Sequence, residues 1–347
     1  MIVDDLLLQP GAWLAPGADT GIVVSSRLRL ARNLRDAAFP GWAGEEECEK
    51  IWLRLRSTLQ GLPELAPAVA FGMAELDDLE RMILFERHLI SNEQAHKGRG
   101  SGLVATKDES LSVMVNEEDH LRLQAMSPGL TLRASWQRIN ALDHAVEQQV
   151  PYAFSVKLGY LTACPTNVGT GLRASTMLHL PGLVLMNELN PVLKGLTKIG
   201  LAVRGLWGEG TEATGNLFQI SNQITLGDRE ENIVQHIEQI VLEVVEHERH
   251  ARTRLLERKE LVLRDHVGRA YGVLTHAHLL SSKEALDLLS GLRLGIDLGI
   301  VPRVDRQAVD RLLLLTQPAH LQKLEAKSLK AKDRDRVRAE LVRTQLT

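Results

Sequence analysis

The chain has 347 residues, 44% of them apolar and 24% charged, with a formal net charge of −3. No apolar run approaches the roughly 18 residues of a membrane-spanning helix, and the composition excludes a disordered or low-complexity chain. Residues 251–347 hold 19 Lys/Arg against 12 Asp/Glu while the remainder holds 22 against 32, so an acidic body carries a basic end, unlike the broad basic face of a general nucleic-acid binder.

The first residues, MIVDDLLLQPGAWLAPG, place aspartates where a secretory leader would be basic, and residues 1–20 are expected to form an N-terminal arm. Cys48 and Cys164 lie far apart, which argues against a disulfide framework and for a reducing, cytoplasmic setting. GIVV (21–24), LSVMV (111–115) and LVLM (183–186) read as short buried strands. Helical patterns occupy 45–60, 74–90 and 136–150, the last with Trp136, Ile139, Leu142 and Val146 on one face. Strands and helices alternate without a regular βαβ rhythm, which predicts an α+β fold with a largely antiparallel sheet flanked by helices.

The pattern changes near residue 230. Ile233, Ile237, Val241, Val244 and Val245 form a long apolar stripe, SSKE (281–284) has the form of a capping box, and Pro302 and Pro318 punctuate. Residues 306–315 and 320–345 are predicted to be helical. The expected division is a larger domain over 21–250 and a helical C-terminal domain over 251–347.

Residues 160–177, GYLTACPTNVGTGLRAST, bring a cysteine, two glycines (Gly169 and Gly171) and Arg173 into one segment, which suits close backbone approach to an anionic ligand. SSRLRLARN (25–33) places Arg27 and Arg29 on one side of an extended strand. ERHLIS (86–91) offers His88, and NEEDHLRLQ (116–124) offers Glu117, Glu118 and Arg122. VRGLWGEGTEATGN (203–216) offers Arg204 and Glu209 in a glycine-rich loop. Guanidinium forks match phosphate oxygens and stay charged, so five such arginines suit a polyphosphate. Each segment alone also has a plain reading: a salt-bridging strand, an acidic turn, a flexible loop, a small buried thiol. There is no GxxxxGK[ST] loop, GRGSG (98–102) lacks the dinucleotide spacing, and HERH (247–250) lacks the HExxH spacing and reads as a surface helix.

Taken in order, SSRLRLARN, ERHLIS, NEEDHLR, CPTNVGTGLRAS and RGxxGE resemble the catalytic domain of the phosphagen (guanidino) kinases over about residues 21–250. The resemblance implies transfer of the γ-phosphoryl of ATP, with Mg²⁺ carried on the phosphates and no protein metal ligand. It implies that Arg27, Arg29, Arg122, Arg173 and Arg204 clamp the phosphates and that His88 lies beside the nucleotide. Nucleotide contacts are implied along Ser25, Ser26, Arg27, Leu28 and Arg29, along Arg173, Ala174, Ser175, Thr176 and Met177, and along Arg204, Gly205, Leu206, Trp207, Gly208 and Glu209. Glu118 and Glu209 would hold the acceptor guanidinium as catalytic carboxylates, with Cys164 beside it.

The small-substrate kinases of this family carry a helical domain before the SSRxR strand; here that strand begins at residue 25 and a helical domain follows at the other end. The layout resembles the bacterial protein-arginine kinases, which mark arginine side chains for Clp-type proteolysis in the stress response. That branch implies protein substrates such as a heat-shock repressor, a small zinc-binding activator protein, a Clp ATPase and a homodimer, with no membrane and no direct nucleic acid. A free-arginine kinase and a catalytically weak phosphoarginine-binding adaptor are the alternatives. Trp207 departs from the smaller aromatic expected there. RDRVRA (334–339) fits the RDxxRA pattern by which these kinases sense phosphoarginine, implying an allosteric site at Arg334, Asp335, Arg338 and Ala339; a solvated basic helix is the plain reading.

Overall fold

The computed structural model describes residues 3–7, 9–15, 21–206 and 214–346. Its strands are β1 (Val23–Arg32), β2 (Ala68–Gly72), β3 (Gly102–Thr106), β4 (Leu111–Val115), β5 (Leu121–Pro128), β6 (Phe154–Ser155), β7 (Gly159–Tyr160), β8 (Leu172–His179), β9 (Leu201–Gly205) and β10 (Leu217–Asn222). All but β6 and β7 join one sheet in the order β2-β3-β4-β5-β1-β8-β10-β9, antiparallel at every step. The helices are α1 (Val3–Leu7), α2 (Glu45–Gln60), α3 (Asp78–Glu86), α4 (Asn92–Ala95), α5 (Leu132–Glu147), α6 (Pro181–Leu185) and α7 (Leu189–Lys198). They continue with α8 (Glu230–Arg258), α9 (Glu260–His276), α10 (Ser282–Asp297), α11 (Arg306–Leu315), α12 (Pro318–Leu324) and α13 (Ala331–Leu346). The α+β fold with an antiparallel sheet and a helical C-terminal region is therefore as the sequence predicts.

Strand alternation sorts the sheet into two faces. Leu28, Leu30, Leu123, Ala125, Leu172, Ala174 and Ile220 point one way and enter a core with Trp52, Ile139, Leu142, Ile237 and Val241 from α2, α5 and α8. The other face carries the polar residues considered below. At its edge a second core joins Trp13, Met126, Met177 and Leu206 to Leu289, Leu292, Leu312 and Val342 of the C-terminal helices. Helix α8 runs through residue 250, where the domain boundary was expected.

Three expectations give way. LVLM (183–186) is not a strand: Pro181 opens α6 with a preset φ, and the buried Glu248 carboxylate of α8 accepts the Gly182 and Leu183 amides at 2.8 and 2.9 Å. Four apolar residues cannot by themselves separate a strand from a buried helical turn. Residues 320–345 form two helices; the chain breaks after Leu324, where Ala326 takes φ +52 and Gln322 Oε1 accepts the Leu329 amide. The helix over 74–90 is shorter, opened by an Asp77–Glu80 capping box and closed before His88, whose φ is +60.

Helix α5 is tied to β1 by a buried fork. Asp143 accepts from Arg32 Nε at 3.2 and 3.1 Å and from Nη2 at 2.7 Å, while Arg32 Nη1 donates to the Thr170 carbonyl at 2.8 Å. The guanidinium lies 3.5 Å from the centre of the Tyr160 ring. Removing one charge strands the other in a dry site. Asp143→Asn is expected to lower stability by about 3–5 kcal/mol in urea unfolding, and a loss under about 1 kcal/mol would show that the fork is dispensable.

Candidate active site

The register of the central strands brings the five arginines of the sequence motifs to one face. Arg29 stands opposite Arg173 across β1 and β8 and opposite Gln124 across β1 and β5, and Arg122 follows two residues before Gln124. Arg204 stands opposite Gln219, which stands opposite Met177. Arg27 donates to Gln219 Oε1 at 2.9 Å.

The charges feel one another. Burial and the guanidinium groups of Arg122 and Arg173 pull Arg27 down to about 10, which leaves it a cation at neutral pH. Arg29 is lowered by burial and by Arg27, Arg122 and Arg173, with Glu117 opposing. Among the described residues its Nε finds no hydrogen-bond partner. Arg173 is lowered by burial, Arg204 and Arg122, against the opposing effects of Cys164 and Glu118. The Cys164 thiol and the Glu118 carboxylate thus lie within electrostatic reach of the same arginine.

The acidic segment divides its labour. Glu117 is buried and accepts Arg122 Nη1 at 2.8 and 2.7 Å, the Ser91 hydroxyl at 2.6 Å and the Glu118 amide at 2.9 Å. Burial would raise this carboxyl, but Arg122 and those hydrogen bonds outweigh it and hold it below its usual range. Glu118 is half exposed, 3.7 Å from Arg122 Nη2, and is raised by burial and by Asp119, Glu117 and Glu93. Asp119 accepts the Asn33 amide at 2.6 Å and the Ala163 backbone at 2.7 Å, fixing the acidic turn against the residue before Cys164. His120 is structural, its Nδ1 accepting the Leu34 amide at 3.2 Å and its Nε2 donating to the Ala38 carbonyl at 3.1 Å.

Cys164 is half buried, its Sγ 3.0 Å from Thr166 Oγ1. The loop that follows needs its glycines: Gly169 has φ +111 and a Cβ there would sit 2.3 Å from the Thr225 carbonyl, while at Gly171, with φ +64, it would sit 2.6 Å from that of Ala31.

Beside the arginines, Trp13, Ser25, Arg27, His88, Met126, Ser175, Met177 and Gln219 line a narrow cavity. The rings of Trp13 and His88 meet edge to face at 5.0 Å. Strand parity divides the remaining implied contacts. Ser25, Ser175 and Met177 line this cavity, whereas Leu28 and Ala174 are fully buried in the opposite core, and Thr176 is buried on that side of the strand. Ser26 is likewise turned away, donating to Gly129 and accepting the Thr131 amide. Gly205 ends β9, and Leu206 joins the core with the C-terminal helices. Trp207, Gly208 and Glu209 lie outside the described residues. Sequence reasoning missed Trp13, Met126, Gln219 and the buried role of Glu117. No motif signals the first three, because only the fold brings the arm, β5 and β10 to this cavity.

In α13, Arg338 is 1% exposed and already committed, donating to the Thr316 and Leu280 carbonyls at 2.8 and 2.7 Å and to Asp335 at 2.7 Å. Arg334, one turn earlier, is half buried and donates to the Leu329 carbonyl. Ala339 is in the core.

Residues 54–251 match the family model described as ATP:guanido phosphotransferase, C-terminal catalytic domain, and residues 260–347 match that of the Protein-arginine kinase McsB C-terminal domain. The protein-arginine kinase of Halothermothrix orenii is 47% identical over 337 residues, 96% of each chain. That of Moorella thermoacetica is 47% identical over 336 residues, 95% of this chain and 96% of the other. Among solved structures, lombricine kinase aligns with a TM-score of 0.60 at 25% identity, over 71% of this chain and 70% of that one. The duplicated taurocyamine kinase of Schistosoma mansoni aligns with a TM-score of 0.61 at 28% identity, over 70% of this chain but 35% of that longer one.

His88 is held down to about 3 by burial and by Arg27 and Arg29, so the folded protein keeps it neutral while the unfolded chain protonates near 6.5. Between those values the unfolded state binds more protons, and stability falls as pH is lowered. The expected slope from this group is at most about 1.4 kcal/mol per pH unit. Denaturation at pH 7, 6, 5 and 4 checks it: His88→Asn, which tolerates positive φ, should lose less stability across the series than the unaltered protein, and parallel curves would refute the assignment.

Proposed function

The chain belongs to the ATP:guanido phosphotransferase family, and we infer that it is a protein-arginine kinase, moving the γ-phosphoryl of ATP to the guanidinium of arginine side chains in proteins. The observation that carries this reading is the pairing, in one chain, of the guanidino phosphotransferase domain with the C-terminal domain of protein-arginine kinases, at 47% identity to such an enzyme over nearly the full length.

The assignment of roles follows from the site. Arg27, Arg29, Arg122, Arg173 and Arg204 supply fixed positive charge to the phosphates and to the charge that spreads over the transferring oxygens. Ser25, His88, Met177 and Trp13 line a cavity of only about 10 Å³, too small to enclose a nucleoside as it stands, and we propose that the nucleoside end binds against its mouth beside Arg27. Mg²⁺, when it enters with ATP, neutralises phosphate charge, and we assign it no protein ligand. Glu118 faces the acceptor: its raised carboxyl is suited to orient the guanidinium and accept the proton that the attacking nitrogen sheds. The N–P bond forms as the bond from Pγ to the bridging oxygen breaks, and ADP leaves. Cys164 stands beside the acceptor. Glu209 completes the carboxylate pair on sequence grounds.

We extend the reading to cytoplasmic regulated proteolysis in the stress response, with a heat-shock repressor among the substrates, a zinc-binding activator, a Clp ATPase and a homodimer as partners; the family resemblance supports these.

Glu118→Ala is expected to cut phosphorylation of casein by about 10²–10⁴-fold while ATP affinity, read by calorimetry, stays near that of the unaltered protein. The product should lose its phosphate in hot acid, as a P–N bond does. Retention of more than about a tenth of the activity removes Glu118 from the mechanism, and transfer to free arginine in preference to casein would favour a small-substrate kinase.

For RDRVRA we propose phosphoarginine sensing with divided roles, Arg338 holding the module together and Arg334 meeting the ligand. Arg334→Ala should weaken phosphoarginine binding about tenfold, as loss of a forked charge-assisted contact does, with little change in melting temperature. Unchanged binding would leave the segment a charged helix face.

A further inference from the structure

Glu86 is 4% exposed, yet among the described residues its side-chain partners come from the far end of the chain. Its carboxylate accepts the Ala319 amide at 2.8 Å, the His320 amide at 3.1 Å and pairs with His320 Nδ1 at 2.7 Å. A carboxylate in the last turn of α3 is opposed by that helix's dipole, and the first amides of α12 offset the opposition. His320 itself is fully buried. Two residues past Glu86 stands His88, in the left-handed region at φ +60. A histidine held there costs on the order of 1–3 kcal/mol and needs its surroundings to fix it.

Those surroundings are specific. Arg87 donates to Glu109 at 2.6 Å and to the Gln9 carbonyl at 3.1 Å. The His88 carbonyl accepts Gln124 Nε2 of β5 at 2.8 Å. The start of α12 is fixed in turn by Arg338, whose Nε donates to the Thr316 carbonyl two residues before Pro318. A continuous set of bonds therefore runs from α13 through the α11–α12 corner to Glu86, and by covalent geometry to the histidine that walls the nucleotide cavity.

We propose that Glu86 is a positioning residue for the nucleotide: by clamping the first turn of α12 it sets the 86–88 turn so that His88 lines the pocket, and through it the C-terminal domain governs ATP affinity. This rests on the assignment of the Trp13–His88 cavity to the nucleotide. Glu86 touches neither phosphate nor acceptor, so its loss should appear in ATP binding and leave the chemical step.

The test is calorimetry of MgATP with the full-length chain, beside kinetics on casein. Glu86→Gln should weaken ATP binding, and raise the ATP KM, about tenfold with kcat at saturating ATP within about twofold. The control is Lys323→Gln, which removes a second α3–α12 contact, the 3.6 Å pair with Glu80, away from the turn; it should lower the melting temperature without changing ATP affinity. Equal effects of the two variants on affinity, or none from Glu86→Gln, overturn the proposal. Should Glu86→Gln not fold, His320→Gln decides: removing one of the three donors should weaken ATP binding about threefold, and unchanged binding overturns it. Absence of ATP binding by the unaltered protein overturns the nucleotide assignment itself.

Discussion

Five guanidinium groups project from one face of one sheet, and that concentration of like charge is the constraint around which the molecule is arranged. At an effective dielectric of about 20, two unit charges 6 Å apart repel by roughly 3 kcal/mol. The fold holds them by the rigidity of an antiparallel ladder whose opposite face is buried against α2, α5 and α8. Among the described residues Arg122 alone of the five meets a carboxylate within 3 Å, its Nη1 donating to both oxygens of Glu117; Arg27 receives a neutral amide. What remains is a field of fixed positive charge, the kind of arrangement through which electrostatic stabilisation acts in phosphoryl transfer.

The C-terminal helices are part of this arrangement. Their core includes Trp13, Met126 and Met177, which also line the cavity beside Arg27. His179 and Asn216 at the end of the sheet meet Ser290 of α10 at 2.7 and 2.8 Å. Helix α8 runs across residue 250, so the two parts of the chain are joined by one continuous helix as well as by these contacts. The change in pattern after residue 230 is real, but it records the end of strands and not the end of contact with the sheet.

Legibility followed locality. The Arg27–Arg29 spacing could be read because alternation is a property of the strand itself. The antiparallel fold class could be inferred because strands and helices lacked a βαβ rhythm. LVLM could not be assigned, because its helical state depends on a carboxylate some 65 residues away in sequence, on α8. The implied nucleotide contacts at Ser26, Leu28, Ala174 and Thr176 belong to the right strands, yet parity turns their side chains to the core. Trp13 and Gln219 were invisible for the converse reason: nothing in their neighbours marks them, and only strand register and the second core carry them to the cavity. Glu117 and Glu118 looked interchangeable in the sequence. Burial separates them into an arginine holder and an accessible carboxylate.

An enzyme that phosphorylates arginine must also be built from arginine, and the structure handles the two uses differently. Arg32, Arg87, Arg252, Arg293 and Arg338 are buried, and each is held by a carboxylate: Asp143, Glu109, Glu248, Asp310 and Asp335. All five also donate to a backbone carbonyl, as Arg32 does to Thr170 and Arg338 to Thr316. A carboxylate pair is the same device proposed for the acceptor arginine at Glu118, but in the core it neutralises a buried guanidinium, by a fork at Arg32 and by single contacts at the others. Among the described residues, the arginines of the sheet face other than Arg122, which Glu117 holds, show no such carboxylate. The placement of a carboxylate thus separates the buried struts from most arginines of the sheet face, and that placement is a tertiary property which the spacing of arginines in the chain does not encode.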